Sequence, residues 1–256
     1  MKTYRGIFAI LFMMLSTSLF LMENAMAQPA AIAQVVWVKG SVKAIGENKV
    51  SRALERRSPI YEKDTIVTDS TGTGQIVFSD NGIMSLRTGT VFKIDQYKFV
   101  PKGNPKENKY IMSVTKGGFR TITGLISKSN PDGYKVNTPV ATIGVRGTDY
   151  DIFLDEKGEL QMEYHSGTPC VSNGGGGTCL SAANRYSSVA NAKQAPKILK
   201  GQPAVFKNQP VTMTPATFSP TAAPAGGTMG TPPAGGGQQP PKSPSGPRNV
   251  SGFCIG

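Results

Sequence analysis

The chain has 256 residues, with 28 Lys and Arg against 16 Asp and Glu, a formal charge of +12, and 38% hydrophobic residues. One histidine and three cysteines leave little material for the common catalytic or zinc-binding constellations. Only one long apolar run occurs, at the N-terminus, so no spanning segment is expected beyond it.

That run reads as a secretory signal. Lys2 and Arg5 supply the positive start, residues 7–22 the apolar core, and Ala25 and Ala27 a small-x-small cleavage site before Gln28. The core is shorter than the roughly 18–20 residues of a membrane anchor, and no cysteine follows it as in a lipoprotein signal. Residues 1–27 are therefore expected to be removed on export. Without Lys2, Arg5 and Glu23 the mature chain keeps 26 basic and 15 acidic side chains, a charge of +11. In an exported protein such a charge argues against nucleic acid. It points to an anionic glycan or lipid surface, or simply to solubility.

Residues 33–45 alternate as a strand, with a bulge or bend at Gly40-Ser41, and Trp37 is expected to pack on a strand face. Residues 47–58, with Arg52, Arg56 and Arg57, read as a polar loop or edge closed by Pro59. Short β-rich runs follow at 65–68, 74–79, 83–86, 91–94, 110–115, 119–122, 134–136, 150–154 and 160–164. Asp80-Asn81-Gly82, Gly117-Gly118 and Asp132-Gly133 are among the turn residues between them. Tyr150, Ile152 and Leu154 share one face, Asp151 and Asp155 the other, and Leu160, Met162 and Tyr164 repeat the pattern as the second arm of a hairpin. No window beyond the signal gives a convincing amphipathic helix. The fold class is all-β: a sandwich, a barrel or a short β-solenoid-like stack.

The stretch 137–150 organises the rest. Pro139 interrupts pairing after Thr138, and Gly144 and Gly147 permit special backbone angles around Val145-Arg146. Arg146 either pins a bend through Asp149 or Asp80 as a buried, paired charge, or points out at a ligand; the rule that buried charges are paired favours the first. Read together, Thr138, Pro139, Gly144, Val145, Arg146, Gly147, Thr148 and Tyr150 resemble the signature of the FecR domain. Upstream, Gly40-Ser41-Val42, Asp64-Thr65-Ile66-Val67-Thr68 and the turn at Asp80 and Gly82 agree with that family, although Asn81 is inserted in the turn. The resemblance covers about residues 33–165. It implies a periplasmic all-β module of two facing sheets in a compact, solenoid-like arrangement, placed here at residues 28–165.

Residues 166–208 read as an irregular extension in which 204–206 return as a last strand, since FecR domains often end in a similar segment. Cys170 and Cys179 bracket a glycine-rich loop and are expected to form a disulfide in an oxidising compartment. Cys254 is left over, as a free thiol, a competitor for the other two, or an intermolecular disulfide. Residues 209–256, rich in Pro, Gly, Thr and Ala, read as a disordered tail.

No catalytic site is expected. His165 is the sole histidine, its neighbouring cysteine is assigned to a disulfide, and Asp149 with Asp151 reads as a solvated strand face. No metal and no cofactor are expected. The resemblance implies a non-enzymatic binding or signalling-associated module recognising an envelope protein partner in the periplasm, with secretion or surface display also open. The transmembrane anti-sigma role of FecR regulators is not carried over, because no cytoplasmic segment is expected ahead of the signal. The alternative is a structural or glycan-associated envelope protein held by its charge.

Overall fold

A computed structural model describes residues 29–219. The cleavage residues Ala25, Ala27 and Gln28, and the tail beyond residue 219 with Cys254, lie outside them. In chain order the strands are β1 (Ala33–Lys39), β2 (Val42–Ile45), β3 (Ser51–Ala53), β4 (Pro59–Ile60), β5 (Thr65–Thr68), β6 (Thr73–Phe78), β7 (Ile83–Leu86), β8 (Val91–Lys98) and β9 (Lys109–Ile122). A five-residue helix α1 (Leu125–Ser129) precedes β10 (Tyr134–Asn137), β11 (Thr142–Leu154), β12 (Leu160–Asn173), β13 (Gly176–Cys179), β14 (Tyr186–Val189) and β15 (Lys197–Leu199). A second short helix α2 (Ala204–Asn208) follows.

The strands form one continuous hydrogen-bonded sheet folded into two facing layers. Its long strands serve both layers. The first half of β9 pairs with β8 and runs parallel to β10, whereas its second half pairs with β7 and β11. β11 and β12 divide in the same way, so that β4-β1-β6-β7 continues through them to β14 and β15 in one layer. The other layer runs β3-β2-β5-β8 to β10 and ends at β13. The architecture is a sandwich.

The glycines of 117–118, expected as a turn, instead mark where β9 crosses between layers. A Cβ at Gly118 would lie 1.9 Å from the Ile152 carbonyl oxygen, and Gly117 has φ +70°. Only glycine lets the backbones approach so closely without breaking the strand. Alternation places Ile76, Phe78, Met84, Leu86, Phe119, Tyr150 and Ile152 against Ile66, Phe92, Ile94, Met112, Val136 and Ile143 in a single core. Ring contacts link the layers, with Phe92 and Phe119 centroids 6.2 Å apart and Phe78 and Tyr110 4.8 Å apart. In β8 a bulge between Ile94 and Gln96 shifts the inward register, so Tyr97 rather than Gln96 turns to the core.

The expected hairpin of 150–164 is present, with Tyr150 opposite Tyr164, Ile152 opposite Met162 and Leu154 opposite Leu160. Elsewhere the reading needs correction. Residues 47–58 contain β3, whose Arg52 bonds Asp64 and lies 5.0 Å over the Tyr61 ring, so this arginine is already engaged. Residues 166–208 are largely regular, carrying the end of β12 and three further strands. Residues 204–206 are helical, because Pro203 sets the first turn and Phe206 buries its ring against Arg87 at 5.1 Å. Residues 209–219 carry no strand or helix, yet 209–214 lie bonded along the sheet.

The disulfide is intramolecular. Cys170 and Cys179 are direct cross-strand partners, with Cα atoms 3.9 Å apart. This corrects the expectation of an intermolecular bridge: the disulfide of the described residues closes within one chain.

Candidate functional site

The motif stretch is a tight turn followed by one long strand. β10 ends at Asn137, and Thr138 closes a tight turn by accepting from Ala141 N at 3.0 Å and donating to Ala141 O at 2.8 Å. Pro139 sits in that turn, where its missing N–H costs no ladder bond. β11 then runs from Thr142 against β12, with Arg146 opposite Thr168, until the register shifts between Arg146 and Asp149. Gly147, at φ +57°, is the centre of that bulge.

The bulge is locked from the side. Thr123 N donates to Thr148 O at 2.9 Å, and Thr148 N donates to the Thr123 hydroxyl at 2.8 Å. Immediately after Thr123, α1 is capped by Asp80, whose carboxylate accepts from Ile126 N at 3.1 Å and from Gly82 N at 3.0 Å. The Asp80-Asn81-Gly82 turn therefore does more than reverse the chain: it holds α1 beside the bulge. Burial pushes the Asp80 carboxyl above its ordinary pKa, against the opposing pull of these amides. It also pushes up the neighbouring Tyr97 phenol, whose oxygen accepts from Asp80 N at 3.0 Å.

The Arg146 side chain is exposed and makes no hydrogen bond or ion pair among the described residues. The burial expected for it is corrected, because its proposed partners are already occupied: Asp80 caps α1, and Asp149 takes a two-point bond from Arg120 at 3.0 and 2.9 Å. That pairing is the main reason Arg120 is held above its ordinary pKa. Thr168 of β12 lies opposite Arg146, Ser166 and Ile122 lie opposite Asp149, and Lys128 of α1 comes near Gly147; Ile122 and, in the first turn of α1, Leu125 are large apolar side chains left exposed. Together they form a mixed apolar and basic surface at the motif.

The buried arginine is Arg87, which the sequence reading missed; its position directly after the apolar run of β7 was the available signal. It pairs with Asp151, which is buried at 3% exposure rather than solvated. His165 Nε2 lies 2.8 Å from the other Asp151 oxygen, and Gln202 Nε2 reaches both oxygens of Glu163 at 3.1 and 2.9 Å. Asp151, Glu163 and His165 bring ligand atoms within 4.8 Å of one another. Arg87 and His165 already engage the two Asp151 oxygens and Gln202 both Glu163 oxygens, so the cluster satisfies buried charge rather than inviting a cation.

Among the described residues no helix is long and apolar enough to cross a membrane. No curated protein matches the chain. Two crystal structures of a proposed anti-sigma factor from Parabacteroides distasonis ATCC 8503 are similar, one at 2.50 Å with 16% identity and a TM-score of 0.43, the other at 1.65 Å with 17% and 0.41. Each similarity covers 56% of this chain and 62% of the other, so the chain spans under two thirds of their length. Residues 64–168 match the FecR protein family. That span begins later than the motifs at 33–45 and ends at Thr168, opposite Arg146. Over these residues, somewhat under half of the chain, the sequence is similar to the FecR family.

Proposed function

We propose that this chain is a protein-recognition module of the cell envelope that meets its partner through the motif surface of Ile122, Leu125, Lys128 and Arg146. The supporting observation is Arg146 itself: an exposed guanidinium without a partner among the described residues, at a bulge bonded to Thr123 and followed across the sheet by exposed Ile122, with exposed Leu125 on the adjoining α1. Arginine flanked by apolar groups is the usual composition of a binding hot spot. The test is cross-linking in cells, followed by purification of the tagged chain from envelope fractions. The wild type is expected to retain a defined membrane protein that the Leu125→Asp/Arg146→Glu variant loses at unchanged melting temperature. Retention of the same protein by the variant would refute this surface.

A further inference from the structure

Part of the outer side of the layer that also carries Ile122 is covered by the chain itself. Gln75, Ser85, Arg120, Asp151 and Glu163 occupy successive register positions on the outer side of β6, β7, β9, β11 and β12. Gln75 and Ser85 are fully buried and Arg87 nearly so, although none of the three points into the core. Residues 209–214 cover them. Gln75 Nε2 donates to Thr214 O at 2.6 Å while its Oε1 accepts from Thr214 N at 2.8 Å, so one side-chain amide mimics a ladder pair. Ser85 donates to Thr212 O at 3.1 Å, and Arg87 donates to Gln209 O.

Every one of these bonds engages main chain, and no side chain from 209 to 214 is buried. A segment held so lightly belongs to the low end of local stability. The groups beneath it are the opposite: pre-positioned polar atoms that need a replacement partner once uncovered. Trp37, Thr73, Leu86, Arg87 and Thr88 also line a pocket of ≈ 330 Å³ beside the segment, room that its own side chains leave.

We propose that this face is a receptor for an extended peptide of a partner polypeptide, and that residues 209–214 occupy it in cis until displaced. The groove reads backbone. It requires carbonyls at three positions spaced as in Gln209, Thr212 and Thr214, and an N–H at the last alone, so proline is tolerated between them as Pro210 is. These residues are separate from the motif surface, and the proposal stands or falls independently of it.

The probe is a fluorescent peptide of residues 207–216, titrated by anisotropy against the full chain. Thr214→Pro removes the N–H that Gln75 accepts and so weakens the covering segment. The peptide is expected to bind the Thr214→Pro chain at least about tenfold more tightly than the wild type, and Gln75→Met in that background is expected to erase the gain. A peptide carrying proline at the position of Thr214 should bind neither. Melting curves establish that the variants fold; if Gln75→Met does not, Ser85→Ala, which removes the bonds of one hydroxyl to Thr212 O and Gln75 Oε1, takes its place. Equal binding to wild-type and Thr214→Pro chains, or binding indifferent to Gln75, overturns the proposal. So does a concentration-dependent dimer of the Thr214→Pro chain without peptide uptake, which would give the groove to a second copy.

Discussion

Arg87 and Arg146 sit 59 positions apart and carry opposite burdens. Arg87 is 3% exposed, pairs with Asp151, bonds Gln209 O and packs on Phe206. Removing it strands a buried carboxylate, so Arg87→Met is expected to cost about 3–5 kcal/mol in urea denaturation. Arg146→Ala should change stability by less than about 0.5 kcal/mol, as an exposed side chain without partners does. Reversed magnitudes would mean that the assignment of the two arginines is wrong. Asp80 offers a test by pH. Burial raises its pKa in the fold, so the stability tied to its proton is complete below the ordinary aspartate value and is lost as pH rises through the raised one. Wild type should therefore gain on Asp80→Asn as pH is lowered from about 7 toward about 4. A difference that is flat, or that favours the wild type more at higher pH, would contradict the burial argument.

At the scale of elements, the bent strands and the disulfide hairpin shape the sandwich. β12 and β13 meet with Cys170 directly opposite Cys179, closing the loop that contains Gly174 to Gly177. A bridge over so short a loop stabilises mainly by limiting the unfolded chain, and its loss in a Cys170→Ala/Cys179→Ala variant should cost about 2–3 kcal/mol. The same bridge predicts one reactive thiol per chain under denaturing, non-reducing conditions and three after reduction. Three before reduction would refute it. The alternation of Tyr150, Ile152 and Leu154 was legible because one face is apolar and a two-residue period admits a single register. The continuity of β9 was not. Gly117-Gly118 has the composition of a turn, and only the approach of Ile152 from another strand shows that it is a crossing between layers. Residues 204–206 misled for a related reason: Ala-Val-Phe suits either a strand or a helix, and the packing of Phe206 on Arg87 decides.

For the whole molecule, the all-β class could be read from the turn residues, and the FecR-like stretch from the motif around Arg146. Which charged groups are buried could not, because that depends on residues 202–214 returning across β6, β7 and β12 to cover Gln75, Arg87 and Glu163. Composition marks 209–214 as a linker, yet three sheet side chains hold their backbone. The central claim is that the rigid motif bulge presents a recognition surface. The most direct test places a photo-cross-linking residue at Leu125, with Val50, exposed at 61% and distant in sequence from the motif, as the control position. The account predicts one discrete cross-linked product in cells from position 125 and none from position 50. Products of the same mass from both positions, or from neither, would contradict it.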